Sequence, residues 1–456
     1  MNDPYKPNTG CARWVAAVWK AKSQTGSPTV LAFIRNLGVT FAFKAGALLV
    51  TLLVYIACVR ELGVIAWGQA ALIVSVANIV VIPLTFGLHN GVVRYAPVSN
   101  EEERRELMGT AFVANLVLSS MLAAVFVLSG PAVERAFGYP LSFWLTSVAL
   151  GMSVNLYILT ESFLRGQQRF YRMGLLKLLG SLAFLAGALV ALYALEVRTI
   201  AAYLVPLIAH HLFFFVFSLH KCGLRPFRVS ARAFWKMFSF GIFLMLNWLF
   251  SALLFTSDLF FVARFVSDYG LGVYSVYQNT IRGLCTVLFH DVFAVVFVPM
   301  IAGMDKRAVD KLLVKYAVPI AAAVALGAAC LTAALVLLYG KEFPLDWSYV
   351  GLTSAGIAMN MMYLLFTSVI ALDGAKAARL TFAALIVPIP ALLYMQYAFV
   401  KNWGTIGGMA SVIALNVALL LAYRLTIKFF YRPRAVTKKG ELAQDEVQFR
   451  DPDLQQ

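Results

Sequence analysis

The chain consists largely of apolar runs of 20 to 25 residues, separated by short connectors that carry most of the charge. An α-helix rises about 1.5 Å per residue, so about 20 apolar residues cross the hydrocarbon core of a bilayer. Apolar residues make up 61% of the 456 positions and charged residues 13%, against roughly 45 to 50% and 25% in a soluble domain. These runs exclude a soluble fold and predict an all-α membrane protein.

Twelve membrane spans can be placed along the sequence, in two bundles of six that occupy residues 37–219 and 238–430. A basic cytoplasmic linker, 220–237, joins them. The leader, 1–36, contains a short Trp-bearing stretch that fits either an interfacial helix or a mobile segment, and the polar tail, 431–456, is predicted to be disordered. The predicted spans are 37–59, 64–88, 108–129, 141–164, 173–195, 200–219, 238–262, 271–299, 314–338, 347–372, 380–400 and 406–430.

The distribution of Lys and Arg predicts the orientation of these spans. Basic residues close to helix ends stay on the cytoplasmic side. Of the 38 Lys and Arg residues, 30 lie in the two termini and in the connectors after even-numbered spans, which places both termini in the cytoplasm. Two others, Lys44 and Arg282, lie within spans, and the remaining six occupy the opposite side: Arg60, Arg135, Arg198, Arg264, Lys341 and Lys401.

An internal repeat supports the division into two bundles. Arg60 and Gly68 flank the connector after span 1, and Arg264 and Gly272 flank the connector after span 7, with an offset of 204 residues. Six spans separate the two copies, so the repeat is parallel. Parallel halves around a central cavity are an architecture of transporters.

Arg282 is the Arg placed deepest within a predicted span, about eleven residues into span 8. A charge at mid-bilayer costs roughly 2.5 to 3.5 kcal/mol, so such residues usually face a wet cavity. Gln278 and Asn279 precede Arg282 by four and three positions, which places them on its face of a regular helix and predicts a cavity lining. The alternative is an arginine that ties helices together through Asp258 or backbone carbonyls. Lys44 is a second candidate cation, unless its ammonium snorkels to the interface.

Other polar residues have two interpretations each. Asp258 and Asp291 are candidate sites for a coupling ion, or else interfacial carboxylates. Asn78 and Asn247 line the cavity or bond between helices. Glu161 lies four residues before Arg165, the spacing of an ion pair on a helix surface.

The sequence gives little support for a metal site, a nucleic-acid partner or an enzymatic activity. The five cysteines include no C-x-x-C pair, and the five histidines include no H-E-x-x-H motif, so no metal or other cofactor is expected. The net charge of +16 is spread over many connectors, which argues against a nucleic-acid partner. No nucleophile, base and orienting residue share a fixed spacing, and we expect no enzymatic activity.

Several short motifs resemble those of the polysaccharide transporter branch, with its Wzx-type O-antigen flippases, of the multidrug/oligosaccharidyl-lipid/polysaccharide exporter superfamily. The resemblance covers roughly residues 37–430. Its motifs are Ala57-Cys58-Val59-Arg60-Glu61-Leu62-Gly63 with Trp67-Gly68, Gly87-Leu88 with Gly91-Val92-Val93-Arg94-Tyr95-Ala96, Leu164-Arg165-Gly166-Gln167-Gln168-Arg169-Phe170, Asp258-Leu259-Phe260-Phe261, Gly272-Val273-Tyr274-Ser275, and Pro299.

This resemblance implies two six-helix bundles that form a V around a cationic cavity. It implies a flippase that moves an undecaprenyl-pyrophosphate-linked oligosaccharide across the bacterial inner membrane by alternating access, for O-antigen or exopolysaccharide synthesis. Arg282 matches an arginine of the related lipid II flippases, although Ile281 stands where those proteins have an acidic residue. Arg282 and Lys44 are then expected to bind the pyrophosphate. Membrane lipids are further partners, and contact with other polysaccharide assembly proteins stays open.

Two other functions are compatible with such a chain. A cation-coupled drug exporter of the same superfamily would have a cavity whose chemistry is set by carboxylates, whereas Arg282 is the clearest charge within a span here. A membrane-embedded polysaccharide polymerase or ligase would need a sizeable outer loop, which the sequence does not contain.

Overall fold

A computed structural model of the protein describes residues 28–222, 228–289, 306–371 and 375–430. Within these ranges all regular elements are helices, which confirms the all-α prediction. The helices are α1 Pro28–Leu84, α2 Leu88–Tyr95, α3 Glu101–Phe137, α4 Leu141–Gly166, α5 Phe170–Leu189, α6 Ala201–Cys222, α7 Ala231–Phe265, α8 Asp268–Tyr274, α9 Arg282–Leu288, α10 Lys306–Tyr339, α11 Trp347–Ala371, α12 Ala375–Ile386 and α13 Ile389–Phe430. A 3-10 turn, Ala96–Val98, follows α2. One π-helical stretch, Val190–Ala194, follows α5, and another, Ser275–Ile281, joins α8 to α9.

Nine segments of the described chain are long and apolar enough to cross a membrane. Two of them, 42–84 and 380–429, contain 43 and 50 residues, which is long enough for two crossings each of a hydrocarbon core about 30 Å thick. Each is interrupted by a glycine in a left-handed conformation, Gly63 at φ 74° and Gly404 at φ 56°. The multi-pass prediction is confirmed, and the count of twelve spans stays a prediction.

Local sequence explains where α1 to α3 begin and end. Predicted span 2 extends to residue 88, but α1 ends at Leu84 because Gly87 takes a left-handed conformation at φ 68°, and the short helix α2 follows. The Asn100 side chain caps α3 by accepting a hydrogen bond from the Glu103 N–H at 2.8 Å. The first turn of α3 contains Glu101 and Glu102 as well as Glu103, which is favourable next to the exposed amides of a helix start.

Glycines let the predicted halves approach closely at one end of the bundle. We call this the basic end, and it contains α2, the start of α3, the end of α4 and the start of α7. A Cβ on Gly241 of α7 would lie 2.1 Å from the Gly87 carbonyl oxygen, so the two backbones are in direct contact. Ion pairs between Glu103 and Lys236, at 2.9 Å, and between Glu102 and Arg228 connect α3 to the α7 region at the same end.

Candidate functional site

Arg282, the main candidate from the sequence, is held by an ion pair inside the second half. Its Nη1 lies 3.1 Å from Asp258 Oδ2, and its Nη2 donates to the Phe255 carbonyl oxygen at 3.1 Å. The Arg282 side chain is 15% exposed and that of Asp258 is 1% exposed. The Tyr274 hydroxyl donates to the same carboxylate oxygen at 2.6 Å. Asp258 therefore neutralises Arg282. This geometry fits the alternative interpretation, in which Arg282 connects helices through Asp258 and a backbone carbonyl.

The other carboxylate oxygen of this site has no such partner. Asp258 Oδ1 is buried and accepts no hydrogen bond from the described residues. An unsatisfied buried acceptor costs roughly 1 to 3 kcal/mol. Asp258 thus keeps one oxygen available for a proton or a cation, and its coupling-ion role stays a prediction.

The π-helical stretch changes the face on which Gln278 lies. A π-helical turn is wider than an α-helical one, so spacings of three and four residues across Ser275–Ile281 no longer mark a single stripe. Gln278 is buried and its Nε2 donates to Thr353 Oγ1 on α11 at 3.1 Å, whereas Arg282 faces Asp258 on α7. Gln278 and Arg282 therefore contact different helices, and the prediction that Gln278 lines a cavity stays a prediction.

The remaining predicted site residues are dispersed. Asn279, Asn247 and Lys44 are half-buried, and Asn78 is exposed. Asp291 lies outside the described residues. No group of three metal-ligating side chains occurs in the part of the chain that the structure describes.

A cavity of about 400 Å³ with both polar and apolar walls lies at the basic end, between α2, α4 and α7. We call it the inner cavity. Within each helix the lining residues recur every three to four positions, which places them on one face of that helix. The two arginines that line it, Arg94 and Arg165, are both exposed. Its lining residues are His89, Asn90, Val93 and Arg94 from α2, Ile158, Glu161, Ser162 and Arg165 from α4, and Phe240, Leu244 and Trp248 from α7.

The wall from α7 is aromatic and supports one of the arginines. The Arg94 guanidinium carbon lies 4.2 Å from the centre of the Phe240 ring, a cation–π contact. Trp248 lies edge-on to the His89 ring at 6.2 Å between ring centres. Because α2 belongs to the first predicted half and α7 to the second, a molecule in the inner cavity contacts both halves.

Glu161 occupies the wall of the inner cavity and pairs with a lysine behind it. The Lys177 ammonium of α5 lies 2.8 Å from Glu161 Oε1, and the two side chains are 17% and 16% exposed. The expected pairing of Glu161 with Arg165 is thus replaced by a pair between helices. Arg165 follows Glu161 by one turn of α4 and lines the same cavity, so two basic residues lie close to this carboxylate.

Two neutral polar groups complete the cavity. His89 Nδ1 is buried and makes no hydrogen bond to any residue within the described ranges. Asn90, next to it in α2, is half-buried and lines the cavity. Together with the arginines these groups can hydrogen-bond an anionic, oxygen-rich ligand, and the aromatic wall can pack against a sugar ring.

Sequence reasoning did not assign a site role to Arg94 and Arg165, because both count among the basic residues that set topology. The sequence did contain a signal, because the lining residues of each helix recur at helical spacing and form a stripe. The stripes are residues 89, 90, 93 and 94 in α2, residues 158, 161, 162 and 165 in α4, and residues 240, 244 and 248 in α7. Which three stripes face one another depends on the Gly87–Gly241 contact between helices that lie far apart in sequence.

Residues 59–343 match the profile of a family described as "Polysaccharide biosynthesis protein". The chain belongs to this family. No curated protein sequence matches it.

Solved structures with the same fold are transporters and a flippase. The lipid II flippase MurJ in an inward closed conformation matches with a TM-score of 0.61 and 13% identity, over 85% of this chain and 87% of that one. An inward-facing multidrug resistance MATE family transporter of the MOP superfamily matches with a TM-score of 0.58 and 15% identity, over 82% and 94%. A structure of MATE in complex with MaL6 matches with a TM-score of 0.55 and 15% identity, over 86% of this chain and 95% of that one.

These comparisons confirm the resemblance to the exporter superfamily. At these identities the structural likeness establishes the fold alone. This member of the polysaccharide biosynthesis family therefore has a multi-pass membrane fold, the same fold as MATE transporters and MurJ.

Proposed function

We propose that the protein is a flippase that moves a polyprenyl-pyrophosphate-linked oligosaccharide repeat unit, carried on undecaprenyl pyrophosphate, across the bacterial inner membrane by alternating access. The product would enter O-antigen or exopolysaccharide biosynthesis. The observation that carries this proposal is the inner cavity, which combines Arg94 and Arg165 with an aromatic wall between the two predicted halves.

The chemistry of the cavity suits both parts of the ligand's polar end. A pyrophosphate crossing hydrocarbon needs cations in a hydrated site. The guanidinium group presents a planar fork of donors that matches phosphate oxygens. Sugar rings expose C–H faces that pack on aromatic rings, and their hydroxyls hydrogen-bond groups such as Asn90 and His89. The polyprenyl chain would remain in the surrounding lipid.

The family and the fold add support. The family description names polysaccharide biosynthesis, and MurJ is named as a lipid II flippase. The MATE relatives favour drug export by fold alone, and that function is the alternative tested below. A polymerase or ligase has no observation in its favour among the described residues.

The test is a leaflet assay with the purified full-length protein in vesicles. The probe is an undecaprenyl-pyrophosphate-linked trisaccharide with a fluorophore on its terminal sugar, placed in both leaflets. A membrane-impermeant quencher should reach only the outer-leaflet probe in protein-free vesicles and all of it when the flippase is present. Ethidium accumulation in the same vesicles tests drug export. Ethidium transport without probe movement would overturn the proposal.

A further inference from the structure

We propose that Lys177 is a phosphate-binding position of the inner cavity, which Glu161 occupies until a phosphate of the ligand replaces it. The inference rests on the proposed function and deepens it, because it names the group that receives one phosphate of the glycosyl diphosphate. The carboxylate of Glu161 is an internal substitute for that phosphate. Exchange of one anion for the other would couple ligand binding to a rearrangement within the first half.

The position of the pair supports an exchange. Glu161 lines the cavity, whereas Lys177 lies directly behind it at 2.8 Å, on the neighbouring helix α5. A phosphate entering the cavity beside Arg165 therefore meets the carboxylate first and the ammonium next. Both side chains are mostly buried, so the lysine needs an anionic partner at every stage, since an uncompensated buried charge is strongly destabilising.

More than one basic residue lies near Glu161. Lys177 of α5 pairs with it at 2.8 Å, and Arg165 follows it by one turn of α4 and lines the same cavity. The titratable neighbours on the other packed helices are His89 of α2, which interacts with Glu161, and His210 of α6, which interacts with Lys177. The ring of Tyr157 lies 5.6 Å from the Lys177 ammonium. A diphosphate supplies the further negative charge that this group of cations attracts.

The displaced carboxylate has a second partner within reach. Glu161 precedes Arg165 by four residues on α4, a spacing that allows an ion pair along one helix. The arginine has five N–H donors and can serve a carboxylate and a phosphate together. His89 lines the same cavity, and its buried Nδ1 has no hydrogen-bond partner among the described residues, so a rotation of the ring on ligand binding would give this nitrogen a ligand oxygen as its partner.

The test measures equilibrium binding of the labelled lipid-linked trisaccharide to the full-length protein in detergent micelles. Glu161→Gln leaves the lysine without its carboxylate, so affinity should rise about tenfold, the effect of roughly 1.4 kcal/mol. Adding Lys177→Gln should remove that gain. The matched control is Glu103→Gln, which breaks a 2.9 Å Glu–Lys pair at the same end but outside the cavity and should leave affinity unchanged.

Infrared difference spectra give a direct readout of the exchange. Ligand binding to the wild-type protein should shift a carboxylate stretching band that is absent in Glu161→Gln. This spectrum requires no variant of Lys177 and stays decisive if Glu161→Gln fails to fold, because Glu161→Asp then serves to assign the band. An unchanged carboxylate band, or a Glu161→Gln protein with wild-type or lower affinity, would overturn the inference.

Two further arms separate the possible sources of failure. Competition by a water-soluble nucleotide sugar, UDP-N-acetylglucosamine, shows whether the diphosphate alone is recognised or whether the lipid-linked form is required. Absence of probe binding and of probe flipping by the wild-type protein contradicts the proposed function itself. Normal binding and flipping with no effect at Glu161 contradicts only the exchange.

Discussion

Gly68 and Gly272, which occupy the same position in the two copies of the sequence repeat, lie in direct contact. A Cβ on Gly68 would be 2.8 Å from the Cα of Gly272, closer than any side chain tolerates. When two halves are related by a twofold rotation, only residues at the axis meet their own counterparts. The contact therefore supports a parallel repeat whose axis passes between α1 and α8, at the end of the bundle opposite the inner cavity.

Substitution of Gly68 by alanine should separate the halves at this contact. The added methyl group meets the backbone of Gly272, which cannot move aside as a flexible side chain would, so we expect a loss of about 1 to 3 kcal/mol, as in overpacked cores. The measurement is the melting temperature of the purified protein. Gly327→Ala on α10 is the control because nothing lies within 4 Å of its Cβ. Equal stability of the two variants would contradict the close contact.

The architecture was predictable from the sequence to a greater extent than the site. Apolar runs dictate membrane helices because lipid allows few other structures, and the Arg60 and Arg264 motifs predict a repeat, which stays a prediction. Neither signal reports which faces of distant helices meet. The depth of Arg282 favoured a cavity role, and its partner Asp258, 24 residues earlier on α7, entered only as the alternative interpretation. Arg94 and Arg165 were hidden among the basic residues of the connectors.

Membrane topology is a prediction that reporter fusions can test. Fusions at Lys221 and at Gln456 should report the cytoplasm, and a fusion at Lys341 should report the opposite side. The reason is that 30 of the 38 basic residues lie on the same side as Lys221 and Gln456. A cytoplasmic signal at Lys341 would contradict the twelve-span count. A signal from the opposite side at Lys221 would place the inner cavity in the wrong leaflet for loading from the cytoplasm.

Removal of the Arg282 charge should destabilise the protein more than it alters the ligand site. Arg282→Ala leaves Asp258 as an uncompensated buried carboxylate, with a cost of roughly 3 to 5 kcal/mol, so less folded protein should reach the membrane. Adding Asp258→Ala should restore the amount. Western blots of membrane fractions measure this, and the leaflet assay then measures function. A well-folded double variant that cannot flip the probe would show that the Asp258–Arg282 pair takes part in transport as well as in folding.

Neutralisation of the cavity arginines should weaken ligand binding without unfolding the protein. Arg94 and Arg165 are exposed and line the inner cavity, so Arg94→Gln and Arg165→Gln each remove a charge-assisted hydrogen bond to phosphate, with an expected loss of about tenfold in affinity for the lipid-linked probe. Replacement by lysine should retain part of the affinity, because it keeps the charge but loses the planar fork.

Arg105→Gln is the matched control, since Arg105 is an exposed arginine of α3 that pairs with Glu101 at 3.0 Å and does not line the cavity. If all three glutamine variants bind the probe equally, the inner cavity is not the ligand site. If the Arg105 variant alone retains wild-type affinity, the two stripes on α2 and α4 bind the phosphate end of the ligand.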